Sequence, residues 1–521
     1  MRLPRLWALG FPGCLLAAFA CSSANNPDTG LGSSTTTGTG AGGKGASGHS
    51  GSTGGTGLAV GGPGTGGATT TGHGGGLNID AGMPTMMSDC PSMPDVDQDG
   101  DGWTANQGDC NDCDKNVNPG AVDVVSVDMA GNPLPADKQV DSNCDGVKAT
   151  AGAKTSCDED IAIGGVGDPF DAARAMGLCN VKVEADPADP KQRVWGVTQA
   201  TLSDIIGAPF ASPPPAWNGS GSDVGILDGF GGATHPQEGG RVFSLSSGVA
   251  RAPGQPGYKS FKCSTSGSID KGYPGPLSKS YPDGFPKPSS CGMTGGAHDG
   301  IALDLEIRVP TNAHAMSFDF RFFTCEYPVY VCQSFNDILA VFMAPDPLPA
   351  GDPMGNASNT AADIAFESSS GMKNTIGVNN TTFLTACDPG PPMYNACKGS
   401  GDLDGTNFEG HAASAWLRSQ VPVPPGQKII LRIAIWDSGD GLLDSTSVID
   451  NFQWIADPGA NNGTTTTIIP DPHLRKSEFF ADTGDLASGR AHVPEYAPRG
   501  RRRPRLVSAK ALRFPVAVQM S

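Results

Sequence analysis

The chain is short of positive charge and of large aromatic residues. Its 521 residues include 35 Lys and Arg against 53 Asp and Glu, a formal net charge of -18, with seven Tyr and seven Trp. Binding nucleic acid takes a basic surface, so this balance argues against such a partner. The N-terminal apolar run, residues 6–20, is too short for a membrane span. Long amphipathic helices are scarce, and HAASAWLRS (His411 to Ser419) is the best short one. No HExxH stands out, nor a nucleophile elbow outside low complexity, nor a Ser/His/Asp set. His235, His298, His314 and His411 are scattered and read as surface or packing residues. What is plentiful is turn-forming: 73 Gly and 44 Pro exceed a fifth of the chain. That composition excludes one compact α/β enzyme and points to a β-rich protein with long flexible parts.

Arg2 and Arg5 precede the apolar run, which ends in LAAFAC with Cys21 after Ala18 and Ala20. This resembles the bacterial lipoprotein lipobox. The resemblance implies a signal peptide over 1–20, cleavage before Cys21, and acyl chains on Cys21 that anchor the chain to the outer membrane or cell surface. Residues 21–80 are mostly Gly, Ser and Thr and cannot bury a core, so they read as a disordered tether with a reach of about 40 Å. Gly38, Gly43 and Lys44 imitate a phosphate loop, but Gly45 stands where Ser or Thr is needed and no strand precedes. Setting aside Cys14 and Cys21, the cysteines form an even set, which suits disulfides in an exported protein. Spacing alone does not fix their pairing; Cys110 with Cys144 and Cys325 with Cys332 are the pairs expected.

The segment 90–160 holds fifteen acids and four lysines between Asp95 and Asp160, and too few apolar residues for a core. Metal, disulfides or both must hold it. It opens DVDQDGDGWTANQGDCNDCD. Asp97, Asp99 and Asp101 alternate, Gly102 allows a sharp turn, and Trp103 offers a backbone carbonyl at position seven. Gly108 replaces the bidentate glutamate of an EF-hand. Asp109, Asp112 and Asp114 are candidates to close the shell, followed by VDSNCDG with Asp141, Asn143 and Asp145. The run DxDGDGW, GDCND, NPGA, VDSNCDG resembles the MopE-type metal-binding motif, found in surface proteins of myxobacteria and relatives. That resemblance implies a cysteine-bearing element that binds metal. Oxygen ligands favour calcium, with copper the lesser alternative. CNDC, Cys110 to Cys113, lacks the βαβ setting of a redox pair.

Over 190–456 short alternating runs appear: DVGILDGF, GRVFSLSSG, IALDLEIRV, AMSFDFRFF, DILAVFMA, KIILRIAIWD and SVIDNFQWI. They predict an all-β sandwich or jelly roll, following a small disulfide- and metal-stabilised module and the disordered linker. In AMSFDFRFF, Met316, Phe318, Phe320 and Phe322 share one face, while Asp319 and Arg321 take the other. Ser264 to His298 and Pro345 to Ser358 read as long loops. CEYP near Glu326, Phe335-Asn336-Asp337, the SSG at Ser246 to Gly248 and LRIAIWDSGDGLLDSTSVIDNFQW together resemble the choice-of-anchor L domain of bacterial surface proteins. Glu326, Asn336, Asp337, Asp437, Asp440 and Asp444 form a second candidate metal set at strand ends and turns; Asp450 and Asn451 read as turn residues. Residues 457–521 read as a disordered basic tail containing PRGRRRPRL. The function expected is non-catalytic adhesion, matrix contact or ligand binding outside the cell, towards an unidentified glycan, matrix or protein ligand. The alternatives are a hydrolase of polysaccharide or peptide with structural calcium, and a copper scavenger.

Overall fold

The alternating runs fold as strands, and the pairings between these strands are antiparallel. Among the described residues the first sheet runs β1 (Gly196–Asp204), β4 (Ala297–Arg308), β13 (Lys428–Ser438), β6 (Ile338–Ala344), β9 (Met372–Gly377) and β8 (Phe366–Ser369), with β7 (Ala362–Asp363) beside β6. The second runs β10 (Leu384–Cys387), β11 (Ala412–Ser414), β5 (Ala315–Thr324), β14 (Ser445–Ile455), β3 (Val242–Ser246) and β2 (Val224–Leu227). Strand β12 (Leu417–Pro422) also pairs with β5, and β15 (Thr465–Ile468) with β12. The computed structural model describes residues 93–128, 132–150, 156–204, 222–264, 297–356, 358–369, 371–388 and 396–470. Cys21, the tether with Gly38, Gly43 and Lys44, and PRGRRRPRL lie outside them, as does most of Ser264 to His298; His298 itself is in β4.

The period of two places the core between the sheets. Ile301, Leu303, Leu305 and Ile307 of β4 join Ile429, Leu431, Ile433 and Ile435 of β13. Against them pack Met316, Phe318, Phe320 and Phe322 of β5. The opposite face of β5 is covered too, so Asp319 and Arg321 are buried. Asp319 receives both arms of Arg418, at 2.6 and 2.8 Å, and the Asn451 amide at 2.6 Å. Arg321 reaches Asp402 at 3.0 Å, the Ser414 carbonyl at 2.8 Å and the Thr234 hydroxyl at 3.0 Å. Buried charge persists only where it is paired in this way.

Three expectations change. His411 to Ser419 is not helical: it supplies β11 and the start of β12, both paired with β5. The open edge of β5 offers backbone partners that outweigh a weak local periodicity. The ordered chain also continues past 456, because β15 adds to β12. Cys325 pairs with Cys263, not with Cys332. Its side chain lies in the apolar cluster with Phe261 and Phe408, whereas the following turn carries Cys332 away, where its N–H donates to Asn379 at 2.8 Å. Cys332 forms a disulfide elsewhere. Further disulfides join Cys110 to Cys144, Cys157 to Cys179 and Cys387 to Cys397.

One helix went unread. Helix α1 (Pro169–Ala175) starts where the Asp168 side chain accepts from the Phe170 N–H and Pro169 takes the first helical position. It buries Ala172, Ala173 and Ala175 against the core. Among the described residues no helix is long and apolar enough to cross a membrane. Phe320 is fully buried between the sheets. Phe320→Ala is expected to cost about 3–5 kcal/mol, read as a lower urea midpoint at unchanged slope; a shift under about 1 kcal/mol would contradict this packing.

Candidate metal centre

The loop from Asp97 to Trp103 is wound around its own carboxylates. Asp97 accepts from the N–H groups of Gly100 and Gly102, at 2.7 and 2.9 Å. Asp99 accepts from Asp101 N–H at 3.1 Å, and Asp101 from Trp103 N–H at 2.8 Å. Gly100 and Gly102 have φ of 80° and 93°, the left-handed region where glycine is at home. Asp97, Asp99 and Asp101 each bring an oxygen within 4.8 Å of the others, and Asp99, Asp109 and Asp112 form a second such trio. Asp109 and Asp112 are 6% and 7% exposed. The inner oxygens of Asp99 and Asp109, their Oδ2 atoms, are buried and accept no hydrogen bond. Asp114 turns to the Asn116 backbone instead, at 3.1 Å.

Burial, with the neighbouring carboxylates adding to it, raises the Asp101 carboxyl to about 7 and the Asp109 carboxyl to about 6. Hydrogen bonds from Trp103 N–H and Asn118 to Asp101 offset this only in part. Carboxylates crowded and desolvated in this way are stabilised by a hard cation that takes oxygen ligands.

VDSNCDG stands apart from that shell. Asp141 accepts from Gly146 N–H at 2.9 Å, Asn143 from Asp145 N–H at 3.0 Å, and Asp145 from Val147 N–H at 2.7 Å. This repeats the bonding of Asp97, Asp99 and Asp101 at equal spacing. The structure groups Asp141 and Asp145 with Asp123, not with Asp97. The equality of DxDxDG and DxNxDG was there to be seen in the sequence; Asp123, in an ordinary apolar stretch, gave no signal. The Cys110–Cys144 disulfide ties one loop to the other.

Asn118 links the first loop to the sandwich. Its amide donates to Asp101 at 2.8 Å, and its carbonyl accepts from Gly120 N–H at 2.9 Å and the Thr311 hydroxyl at 2.7 Å. Next to it, Asn312 both donates to and accepts from the Val122 backbone, each at 2.9 Å. Trp103 is 3% exposed, with the Arg193 guanidinium 5.0 Å from its ring and bonded to the Gly102 carbonyl at 3.1 Å. A cavity of about 270 Å³ opens on this seam, lined by Asp101, Trp103, Arg193, Arg308, Thr311 and Gln427 among others.

The second predicted set gathers at one end of the sandwich. Glu326, Asn336, Asp337, Asp437 and Asp444 are all buried, and Asp440 lies at the rim, accepting from Leu442 N–H at 3.2 Å. Burial, then the charges of Asp437 and Asp440, raises Glu326 to about 10. Asp337 and Asp437 are raised by the same cause. Asp450 and Asn451 lie within β14, where Asp450 accepts from Gln237 and Glu238 N–H groups at 2.5 and 3.1 Å.

Residues 296–451 match the Choice-of-anchor L domain. The match spans β4 to most of β14; β1, β2 and β3 precede it in the chain and complete the same two sheets. No curated protein matches the chain. Among solved structures, TmCBM61 in complex with β-1,4-galactotriose shares 8% identity over 46% of this chain and 85% of its own, at a TM-score of 0.16. The K2 cleaved adhesin domain of Lys-gingipain shares 12% over 49% and 97%, at 0.18. The K3 cleaved adhesin domain of Lys-gingipain from Porphyromonas gingivalis shares 12% over 48% and 99%, at 0.15. Likeness this low carries no inference about this chain.

The Asp101 carboxyl rises from 3.8 to about 7 on folding, so between those values the folded chain holds a proton that the unfolded chain has lost. Its contribution to stability therefore grows as pH falls. In chelator, the melting temperature of the native chain relative to Asp101→Asn is expected to rise between pH 8 and pH 5. A flat difference across that range would rule out the raised carboxyl.

Proposed function

We propose that the chain is a non-catalytic binding protein of the cell exterior, with calcium holding its acidic module in shape against the sandwich. The observation that carries the calcium reading is the buried Asp109, whose Oδ2 accepts no hydrogen bond and whose carboxylate comes within 4.8 Å of those of Asp99 and Asp112. Asp97, Asp99, Asp101, Asp109 and Asp112 supply oxygen donors only, which suits calcium over copper or zinc. Asn118 then carries order at Asp101 to Thr311 of the sandwich. The second loop, with Asp123, Asp141, Asn143 and Asp145, is built alike but is more exposed.

A surface role is supported by the Choice-of-anchor L match and by the disulfides, which persist in oxidising compartments. The LAAFAC sequence adds a lipid anchor at Cys21 to this reading. Hydrolysis is disfavoured at the candidate acid pair, because Glu326 and Asp337 are 1% and 0% exposed and a substrate does not reach them. The ligand class proposed is a surface glycan or a protein of the matrix.

Two measurements test this. Calcium is expected to raise the melting temperature of the native chain, and the double variant Asp99→Asn, Asp109→Asn to lose most of that rise. An unchanged melting temperature in excess calcium would sink the calcium reading. On a glycan or matrix-protein array the calcium-loaded chain is expected to bind without releasing product; turnover of any bound polysaccharide or peptide would overturn the non-catalytic reading.

A further inference from the structure

The acids at the end of the sandwich are a separate problem in charge. Glu326 follows β5, Asn336 and Asp337 precede β6, Asp437 lies near the end of β13, and Asp444 precedes β14. Asp299, near the start of β4, joins them in the field that acts on Asp437. These six residues are between 0% and 4% exposed. Strands β4, β6 and β13 belong to the first sheet, β5 and β14 to the second, so the cluster sits where both sheets end. The charges acting most strongly on Glu326, Asp337 and Asp437 are all carboxylates. Among the described residues these three make no ion pair, unlike Asp319 and Asp304, which have Arg418 and Arg432.

Hydrogen bonds do not resolve the problem. Asp337 is satisfied by Ser438 N–H at 3.1 Å and the Ser445 hydroxyl at 2.7 Å. Glu326 Oε2, Asn336 Oδ1 and both oxygens of Asp437 are buried acceptors without a hydrogen bond of normal geometry; the Ser247 hydroxyl and the Asp337 carboxyl face Asp437 and relieve it only in part. A proton on each acid would neutralise charge but would leave the Asn336 carbonyl unanswered. A cation drawn in among them would offer these oxygens a common partner. The walls are also kept close by glycine. A Cβ on Gly248 would stand 2.1 Å from Asp444 Oδ2, and one on Gly377 would stand 2.8 Å from Asn336 Oδ1. The SSG run at Ser246 to Gly248 thus has a local reason.

We propose that Glu326, Asn336, Asp337, Asp437 and Asp444, with Asp299 behind them, form a buried calcium site that joins the two sheets at one end. The donors are carboxylate and amide oxygens, the ligand type of a hard divalent cation that takes six to eight oxygens. No three of its acids bring oxygens within 4.8 Å of one another as the module trios do, so loading contracts the cage. Glu326 and Asp337 flank the segment between β5 and β6, whose Val329 is 66% exposed. Calcium here holds both ends of that segment, and the site stands independently of the acidic module.

The test uses the full chain and counts bound calcium by equilibrium dialysis, with magnesium as control. The cage variant Asp337→Asn, Asp437→Asn is expected to bind at least one calcium fewer than wild type while keeping the calcium lost in Asp99→Asn, Asp109→Asn. In chelator the cage variant is expected to melt at or above wild type, since uncompensated buried charge has been removed. Undiminished calcium binding by the cage variant would overturn the site. If that variant does not fold, the module variant decides: a remaining calcium-dependent rise in melting temperature, lost on adding Glu326→Gln, supports the cage, and no remaining rise overturns it. Should the module variant bind as much calcium as wild type, the module reading fails and the cage stands.

Discussion

Buried charge must be matched, and most of this structure is arranged around that demand. Strand β5 is covered on both faces, so Asp319 and Arg321 have no water to turn to. Asp319 with Arg418, Arg321 with Asp402 and Asp304 with Arg432 meet the demand by pairing within the chain. Each pair crosses between elements far apart in sequence, and two of them, Asp319 with Arg418 and Asp304 with Arg432, also join neighbouring strands. Breaking such a pair is far more costly than never having it, because the remaining partner stays buried.

The acidic module meets the same demand without a hydrophobic core. Its carboxylates first satisfy their own backbone, one turn at a time. A disulfide and the docking of Asn118, Trp103 and Val122 on the sandwich hold the turns in place. What is left over, the inward oxygens of Asp99 and Asp109, is what a cation would take. The end of the sandwich has a similar remainder around Glu326 and Asp437, but there the acids come from strands of both sheets. The two acidic centres therefore differ in kind: one is local to a loop, the other exists only once the strands are stacked.

The legible parts were those with short-range causes. Period-two runs such as AMSFDFRFF and KIILRIAIWD named their strands, since a strand buried on one face must alternate. DxDxDG named its turn because the same residues that ligate also bond the following N–H groups. HAASAWLRS misled because a short stretch of weak helical pattern cannot compete with the open edge of β5. Cys332 lies close to Cys325 along the chain, but the partner of Cys325 is Cys263, which arrives from a distant segment. The grouping of VDSNCDG with the first loop failed for a similar reason: the disulfide brings the two loops near, yet Asp123 is closer still to Asp141 and Asp145.

The sequence by itself determined the all-β class, the positions of the principal strands and the acidic turns. These depend on the chemistry of neighbours along the chain. The tertiary structure decided which acids share a space, that Asn118 connects the acidic loop to Thr311, and that Glu326 and Asp337 are closed off from solvent. Those outcomes depend on how two sheets stack. Burial, which turns an ordinary carboxylate into one that needs a counter-ion, is a property of the stack and of no single stretch of sequence.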